Sequence, residues 1–500
     1  MELSRISLYP AVSGAEGAYF RGGRLSDGVL LLHAGETADF ATYFSAFDAQ
    51  LFLEKTTVRN VTLRLFFDGH AKVTLTRYIP SDESPKRGEK AYIRYDISHD
   101  DGENGYRTRT ETYGGGIIAF SVTAVSDVTF YGGEWSCDDS CITCDPRLGI
   151  VVPVHEYTDG VKESAVHYAR LCGEVYGLDV YVSDCSGTLD RENFPGLTVL
   201  PCAGAGDVGG VVRGLLECMD CDKTHFLIMS GFSAFDANVI RRLVGFLSVA
   251  ASEFAGCCVG GALMSEKAPT EILECGARME KLRIKNLKRG VDTTRVGGLL
   301  WARTEAGANF SAWHFYCAPV PILKSEGYPL PLCFGGAPEF GARLTAETPL
   351  LFPLGMGVWC AGVKEKEKWR SYYDFRNMLI SHAVHGMTTG RRARSKLRRK
   401  FFRYILHAKI KLNYVFDAAD DYLRGPDYIA SLPVSETHER IVKSPRKKRG
   451  KVRSVIKALA LNIRFCRSSG LNKKYAANKK RLTGEADWRI RVGMINIEEK

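Results

Sequence analysis

Cys137, Cys141 and Cys144 form a C-x3-C-x2-C spacing. Three such thiols can carry an iron-sulfur cluster or, with a fourth ligand such as Cys172 or a histidine, a structural zinc ion. Free thiols in a loop are the default. The cluster reading is disfavoured because the motif falls between an all-β and an α/β segment, and Thr143 stands where a cluster motif of radical enzymes carries an aromatic residue. A second constellation is the glycine-rich run from Cys202 to Gly210, set between a strand and a helix, where backbone N–H groups could cradle a phosphate. It lacks the lysine of a P-loop, so a tight strand-to-helix turn explains it equally well. Cys218 and Cys221 fall late in a helical stretch and read as packing rather than redox chemistry.

The chain that must position these groups has 500 residues, 45% hydrophobic and 25% charged, enough for two or three globular domains. Collagen-like, disordered and disulfide-miniprotein classes are excluded by that composition. No run of eighteen apolar residues occurs, and Met1-Glu-Leu-Ser-Arg5 lacks the basic start and apolar core of a secretory signal, so the expectation is a cytoplasmic protein. Fifteen cysteines without an export signal suit reduced thiols. The net charge of +11 is uneven: from Gly386 onward 30 Lys and Arg face 10 Asp and Glu, whereas the remainder has 38 against 47. A mildly acidic body with a local +20 tail implies an anionic partner, and an anionic membrane surface is expected over nucleic acid, since no zinc-finger spacing or RNA-binding aromatic signature is present.

Alternating β-rich runs such as Val58–Phe67 and Ala71–Tyr78, separated by polar connections at 100–105 and 114–116, predict an all-β sandwich. From Gly149 the pattern changes. Strand signals at 149–153, 178–182 and 226–229 alternate with helical stretches at 161–173, 208–219 and 238–251, which predicts a parallel α/β sheet with ligands beyond the carboxyl ends of its strands. Beyond Tyr372 the chain reads as helical and basic. Leu397, Phe401, Ile405 and Ile410 recur at helical spacing between arginines and lysines, so an amphipathic segment from Arg391 to Val415 is expected to lie on a membrane face, and 443–451 reads as a charged linker. The expected division is a sandwich over 1–146, an α/β domain over 147–385 and a basic helical region over 386–500.

This order resembles the polymerising galactofuranosyltransferases, family 2 glycosyltransferases with a GT-A core behind a carbohydrate-binding-like sandwich. Thr42-Tyr-Phe-Ser-Ala-Phe47 resembles the family's T-Y-F-N-A-F, and Tyr131-Gly-Gly-Glu-Trp135 its G-G-W-Y. Val259-Gly-Gly-Ala-Leu-Met264 resembles V-G-G-Q-M, Tyr328-Pro-Leu-Pro-Leu332 resembles Q-P-L-P-L, and Tyr372-Tyr-Asp-Phe-Arg-Asn377 resembles Y-F-x-x-R-N. The resemblance implies a UDP-sugar donor, a lipid-linked glycan acceptor and a divalent metal that neutralises the leaving diphosphate.

The residues that would do that chemistry are replaced. Where the family has D-D-D this chain has Ser230, Gly231 and Phe232, and Cys360 stands in place of the histidine of I-W-H. The segment holding the family's general base reads Gly335-Gly-Ala-Pro-Glu-Phe-Gly-Ala-Arg343, which keeps Glu339 and Arg343 but loses the Asp pair. Pro153-Val-His-Glu-Tyr157 replaces P-T-F-N-R. By resemblance, Asp184 is the retained donor-site residue; Gly209, Gly210 and Arg213 align with a turn near donor and acceptor; Trp313 and His314 stand at a tryptophan pair bordering the acceptor. Asp236 and Glu339, the nearest remaining acids, read as solvated or helix-capping carboxylates.

Two functions follow. The first is a pseudo-glycosyltransferase without a metal, holding glycan or docking to an active homologue or to itself. The second is an inverting transferase with a non-standard site around Asp184, Glu339 and Arg343, using manganese or magnesium only in that case.

Overall fold

The computed structural model describes residues 1–81, 88–155, 159–187, 189, 194–202, 206–229, 233–280, 283–360, 368–386, 395, 399, 412–432, 434–443, 451–467 and 470–495. The N-terminal part is a two-sheet sandwich. One sheet orders β2 (Arg24–Ser26), β3 (Val29–Leu32), β10 (Val128–Ser136), β5 (Asn60–Asp68) and β8 (Tyr106–Glu111), with β1 (Glu2–Ile6) also on β10. The other orders β4 (Thr37–Asp39), β9 (Ile117–Ala124), β6 (His70–Pro80) and β7 (Tyr92–Glu103). Alternation works as the pleat requires: Val61, Leu63, Leu65 and Phe67 of β5 are buried while Arg64, Phe66 and Asp68 face outward. The two sheets meet through aromatic rings, with Phe40 stacked on Phe120 at 4.5 Å and Phe120 edge-on to Trp135 at 6.2 Å. The connection expected at 100–105 is mostly strand; the break is confined to Asn104 and Gly105, both at positive φ.

The α/β domain carries a seven-stranded sheet in the order β13 (Thr198–Pro201), β12 (Asp179–Asp184), β11 (Leu148–Val154), β14 (His225–Met229), β22 (Phe315–Pro319), β16 (Cys258–Gly260) and β23 (Leu350–Leu351). The first four are parallel, and β22 runs antiparallel to both its neighbours. This strand order, with a smaller sheet of β15 (Ser233–Ala234), β24 (Gly357–Cys360), β17 (Ala262–Ser265), β18 (Ala268–Glu274) and β21 (Val291–Asp292), is the GT-A arrangement the sequence resemblance implied.

Helix α3 (Gly206–Asp220) shows why glycines sit where they do. A Cβ on Gly210 would collide with Pro153, one on Gly214 with Val151, and one on Gly149 with Cys218. Four helical residues advance about 6.0 Å and two strand residues about 6.6 Å, so Gly210, Gly214 and Cys218 step down β11 in register and bring helix and strand into direct contact.

Sandwich and α/β domain share one interface. Arg242, on α4 (Ala237–Ser248), is buried and donates to Ser4 Oγ at 2.9 Å, Gly355 O at 2.5 Å and Phe44 O at 2.7 Å. Tyr43 Oη donates to Met356 O at 3.0 Å, and the Phe44 ring stacks on Trp359 at 5.2 Å. Asp48, which caps α1 (Ala49–Lys55), pairs with Arg303 at 2.7 Å. The Thr42–Phe47 motif is thus the hinge plate between the two units.

The C-terminal helices do not stand apart from the body, which corrects the picture of a single basic tail. Helix α8 (Arg370–Val384) packs against helices Leu412–Arg424 and Leu471–Ala477. Val415, Phe416, Tyr422, Ile429, Tyr475 and Trp488 are core residues. Trp488 Nε1 donates to Pro329 O at 2.8 Å, and Arg489 forks onto Asp220 of α3 at 2.9 and 2.5 Å. Of the expected amphipathic segment, Ser395, Arg399 and 412–415 are described; Leu397, Phe401, Ile405 and Ile410 lie outside the described residues, as do 444–450 of the expected linker. Among the described residues no helix is long and apolar enough to cross a membrane.

Arg242→Met would leave the carbonyls of Phe44 and Gly355 buried without their donor. Unsatisfied buried groups cost about 1–3 kcal/mol each. We expect a lowered denaturation midpoint, together with earlier proteolytic cutting between sandwich and α/β domain, read by urea titration and limited digestion. An unchanged midpoint would contradict the interface account.

Candidate functional site

The carboxyl ends of β11, β12 and β14 and the start of α3 converge on one edge of the large sheet. At the end of β11, His155 Nε2 lies 3.3 Å from Asp207 Oδ1 in the first turn of α3, and its ring packs on Phe334 at 5.8 Å between centroids. Neither residue was singled out as a site by sequence reading: their meeting depends on the α3–β11 packing, and the only local signals are a histidine at a strand end and an acid in a glycine-rich turn. Val208 N donates to Cys333 O at 3.0 Å, so the loop following the Pro-Leu-Pro-Leu segment seats the first turn of α3.

Trp313 and His314 lie just before β22. Trp313 is 91% buried by its 9% exposure, edge-on to Phe340, with its ring over Gly336, where a Cβ would overlap it. Trp313 Nε1 and His314 Nδ1 are buried with no hydrogen-bond partner among the described residues. Burial pushes the His314 imidazole pKa down, partly offset by the Asp207 charge. A buried polar atom without a partner costs free energy, so a pair of them at a sheet edge is a feature to explain.

Asp184, at the end of β12, is where the sequence placed it, but its carboxylate is committed to its own loop. Oδ1 accepts from Ser186 N at 3.0 Å, Ser186 Oγ at 2.7 Å and Gly187 N at 2.9 Å, and Oδ2 from Leu189 N at 3.0 Å. Arg213 turns to Glu217 at 2.8 Å, and Gly210 serves the α3–β11 contact described above; Gly209 is buried in the same turn. These residues shape the site's walls and leave no free charge in it.

Glu339 and Arg343, the two catalytic candidates, form a buried ion pair on α7 (Ala337–Leu344). Arg343 Nε donates to Glu339 Oε1 at 2.9 Å and Nη2 to Oε2 at 3.2 Å. The same guanidinium donates to the carbonyls of Glu326, Gly327 and Tyr328, closing the end of α6 (Ile322–Glu326). His385 Nε2 lies 3.5 Å from Glu339. Although burial opposes it, the Arg343 guanidinium beside Glu339 holds its carboxyl down at about 2. The reading of Glu339 as a solvated or capping carboxylate is corrected: it is fully buried, and a carboxylate this acidic and enclosed is a poor proton acceptor. Asp236 does cap α4, accepting from Asn238 N at 2.9 Å.

Ser230, Gly231 and Phe232 lie outside the described residues. Ser233 pairs with Cys360 across β15 and β24. Hard divalent cations take several carboxylate or carbonyl oxygens. A serine, a glycine, a phenylalanine and a thiol do not fit that requirement, and among the described residues no three His, Cys, Asp or Glu side chains converge to hold a metal. That statement includes Cys137, Cys141 and Cys144, where Cys144 Sγ instead donates to Leu247 O at 3.2 Å and burial pushes the Cys137 thiol up to about 12. Close to His155, an aromatic cluster of Phe334, Trp369, Tyr373 and His438 joins the site to the C-terminal helices, with Tyr373 Oη 3.2 Å from His438 Nδ1. His438 was not foreseen because it reaches the cluster from a helix some sixty residues further on.

Comparison with known proteins bears on what such a site derives from. Residues 23–138 match the family model described as Galactofuranosyltransferase 2 N-terminal. The galactofuranosyltransferase GlfT2 of Mycolicibacterium smegmatis is 24% identical over 446 residues, covering 79% of this chain and 65% of the relative. That of Mycobacterium tuberculosis is 21% identical over 452 residues, covering 81% and 68%. The chain therefore spans about two thirds of the length of these relatives. Among solved structures, a mannosyltransferase from Pyrobaculum calidifontis in complex with GDP-Man and Mn2+ aligns at 14% identity and a TM-score of 0.34, over 68% of this chain and 88% of that one. Mannosyl-3-phosphoglycerate synthase from Rubrobacter xylanophilus aligns at 12% identity and a TM-score of 0.31, over 48% and 75%.

The buried pair makes a pH prediction. The folded Glu339 carboxyl holds its proton more weakly than the unfolded one, whose ordinary value is 4.5. Its contribution is therefore present above about pH 4.5 and lost as pH falls toward 2, in total about 3 kcal/mol. Glu339→Gln, which strands Arg343, should cost about 3–5 kcal/mol near neutral pH and flatten the acid limb of the stability profile measured by urea denaturation. An acid limb unchanged in the variant would refute the pairing.

Proposed function

We propose, from kinship with the polymerising galactofuranosyltransferases and the chemistry of the sheet edge, that this chain is a pseudo-glycosyltransferase of cell-surface polysaccharide assembly. It holds glycan or sugar nucleotide in the donor-fold cleft and does not transfer the sugar. The observation that carries this reading is the pair of buried, unpartnered polar atoms, Trp313 Nε1 and His314 Nδ1. A sugar hydroxyl satisfies both an indole donor and a neutral imidazole. The missing carboxylates remove metal activation of the leaving diphosphate, while Glu339, held as a buried anion by Arg343, does not supply the base.

The test is binding of a galactofuranose oligosaccharide and, separately, of UDP-galactofuranose to the full chain by calorimetry. Trp313→Phe, which removes the Nε1 donor and keeps a buried aromatic ring, should weaken glycan binding by about tenfold, because a lost hydrogen bond of about 1.4 kcal/mol is worth a factor of ten. Equal affinity in the variant, or no binding of either ligand to the parent chain, would contradict the reading.

The same reading places the chain against an anionic membrane, on the cytoplasmic side where lipid-linked glycan is built. Support comes from helix Lys451–Arg467, which exposes Val455, Ile456, Leu459 and Ile463 at helical spacing. This helix lies within Lys443–Arg481, which has 15 Lys and Arg and no Asp or Glu. An apolar stripe between basic flanks suits an interfacial helix. Leu459→Glu with Ile463→Glu, both on the exposed face, should abolish co-sedimentation with anionic vesicles at physiological salt. Unchanged co-sedimentation would remove the stripe from the account.

A further inference from the structure

Two cysteines that the site leaves unused are brought side by side by strand register. β12 and β13 pair in parallel with Asp184 opposite Pro201, and Cys202 N donates to Asp184 O at 3.0 Å, which continues the ladder one step beyond both strands. Cys185 and Cys202 are therefore opposite one another, with their side chains on the same sheet face. Neighbouring strands lie about 4.8 Å apart, inside the roughly 4.4–6.8 Å Cα window of a disulfide. The face is the one covered by α3: the Cys185 sulfur occupies the space where a Cβ on Gly210 would stand. Cys185 Sγ donates to Ser183 O at 3.6 Å, and the Arg213 charge acts on Cys202. Cys185 is half-buried, which leaves the pair within reach of a small oxidant.

We propose that Cys185 and Cys202 form a reversible dithiol modification site, converted to a disulfide by a two-electron oxidant of the peroxide class. The Cys202 sulfur, next to Arg213, attacks the peroxide oxygen; the O–O bond breaks, water leaves and Cys202 becomes a sulfenic acid. The Cys185 sulfur then attacks the Cys202 sulfur, the S–O bond breaks and a second water leaves. Two thiols and one peroxide give one disulfide and two waters. The thiol acidities support this direction: the neighbouring Cys185 thiol and the Arg213 guanidinium lower the Cys202 pKa, while that of Cys185 is raised. The product ties the loop that Asp184 organises to the end of β13. The edge of the sheet nearest α3 thereby becomes a covalent unit. This inference does not depend on which ligand the cleft holds.

The experiment treats the folded full chain with hydrogen peroxide, blocks remaining thiols with iodoacetamide and maps peptides without reduction. The expected result is a crosslinked Cys185–Cys202 peptide in most of the chain, reversed by dithiothreitol. In Cys185→Ser, peroxide with dimedone should label Cys202. Should that variant fail to fold, the crosslink in the parent chain decides alone. The proposal is overturned if both thiols are alkylated after peroxide while the exposed Cys221 is oxidised, or if the crosslink forms only in urea.

Discussion

Three buried arginines that donate to backbone carbonyls set what the rest of the molecule can do. Arg242 reads Phe44 and Gly355 and joins the sandwich to the α/β domain. Arg343 reads Gly327 and Tyr328 while paired with Glu339. Arg376 reads Leu332, and its neighbour Asn377 reads Phe334. A guanidinium offers five donors in a rigid fork, so one buried side chain can fix a stretch of irregular backbone that no ladder could hold. The desolvation cost is met only if the donors are used, and here they are.

These contacts fall on the segments that resemble the family's motifs. Tyr328–Leu332 is gripped from three sides: by Arg343, by Arg376 and by Trp488 Nε1 on Pro329 O. Tyr372 and Arg440 both donate to Asp421, at 2.5 and 2.7 Å, and so carry the grip into the C-terminal helices. Gly260 and Gly261 are where a Cβ would strike Phe352, Ser311 and Phe315. Each retained motif is thus a clamp or a close approach, and its loss would cost stability.

The sandwich was legible because β5 alternates over one buried face and β6 does so as far as Leu75, and β11, β12 and β14 because short apolar runs were spaced by helices. The pair Glu339–Arg343 sits at i,i+4 and is visible in sequence, yet its targets at residues 326 to 328 are not, since they are brought in by tertiary packing. The short strands between Cys258 and Cys360 carry too few residues for a period to emerge. His155 with Asp207, and Cys185 with Cys202, are products of strand and helix register, which composition and spacing do not encode. The charge count of the C-terminal region suggested a basic tail with an anionic partner; that Tyr422, Tyr475 and Trp488 within it are buried is not legible in charge alone.

The proposed function is binding without sugar transfer in a transferase-like fold. The most direct measurement is release of UDP from UDP-galactofuranose by the full chain with a lipid-linked galactan acceptor, with and without manganese. The account predicts no release above the protein-free control under either condition. Sustained release proportional to protein concentration would contradict it.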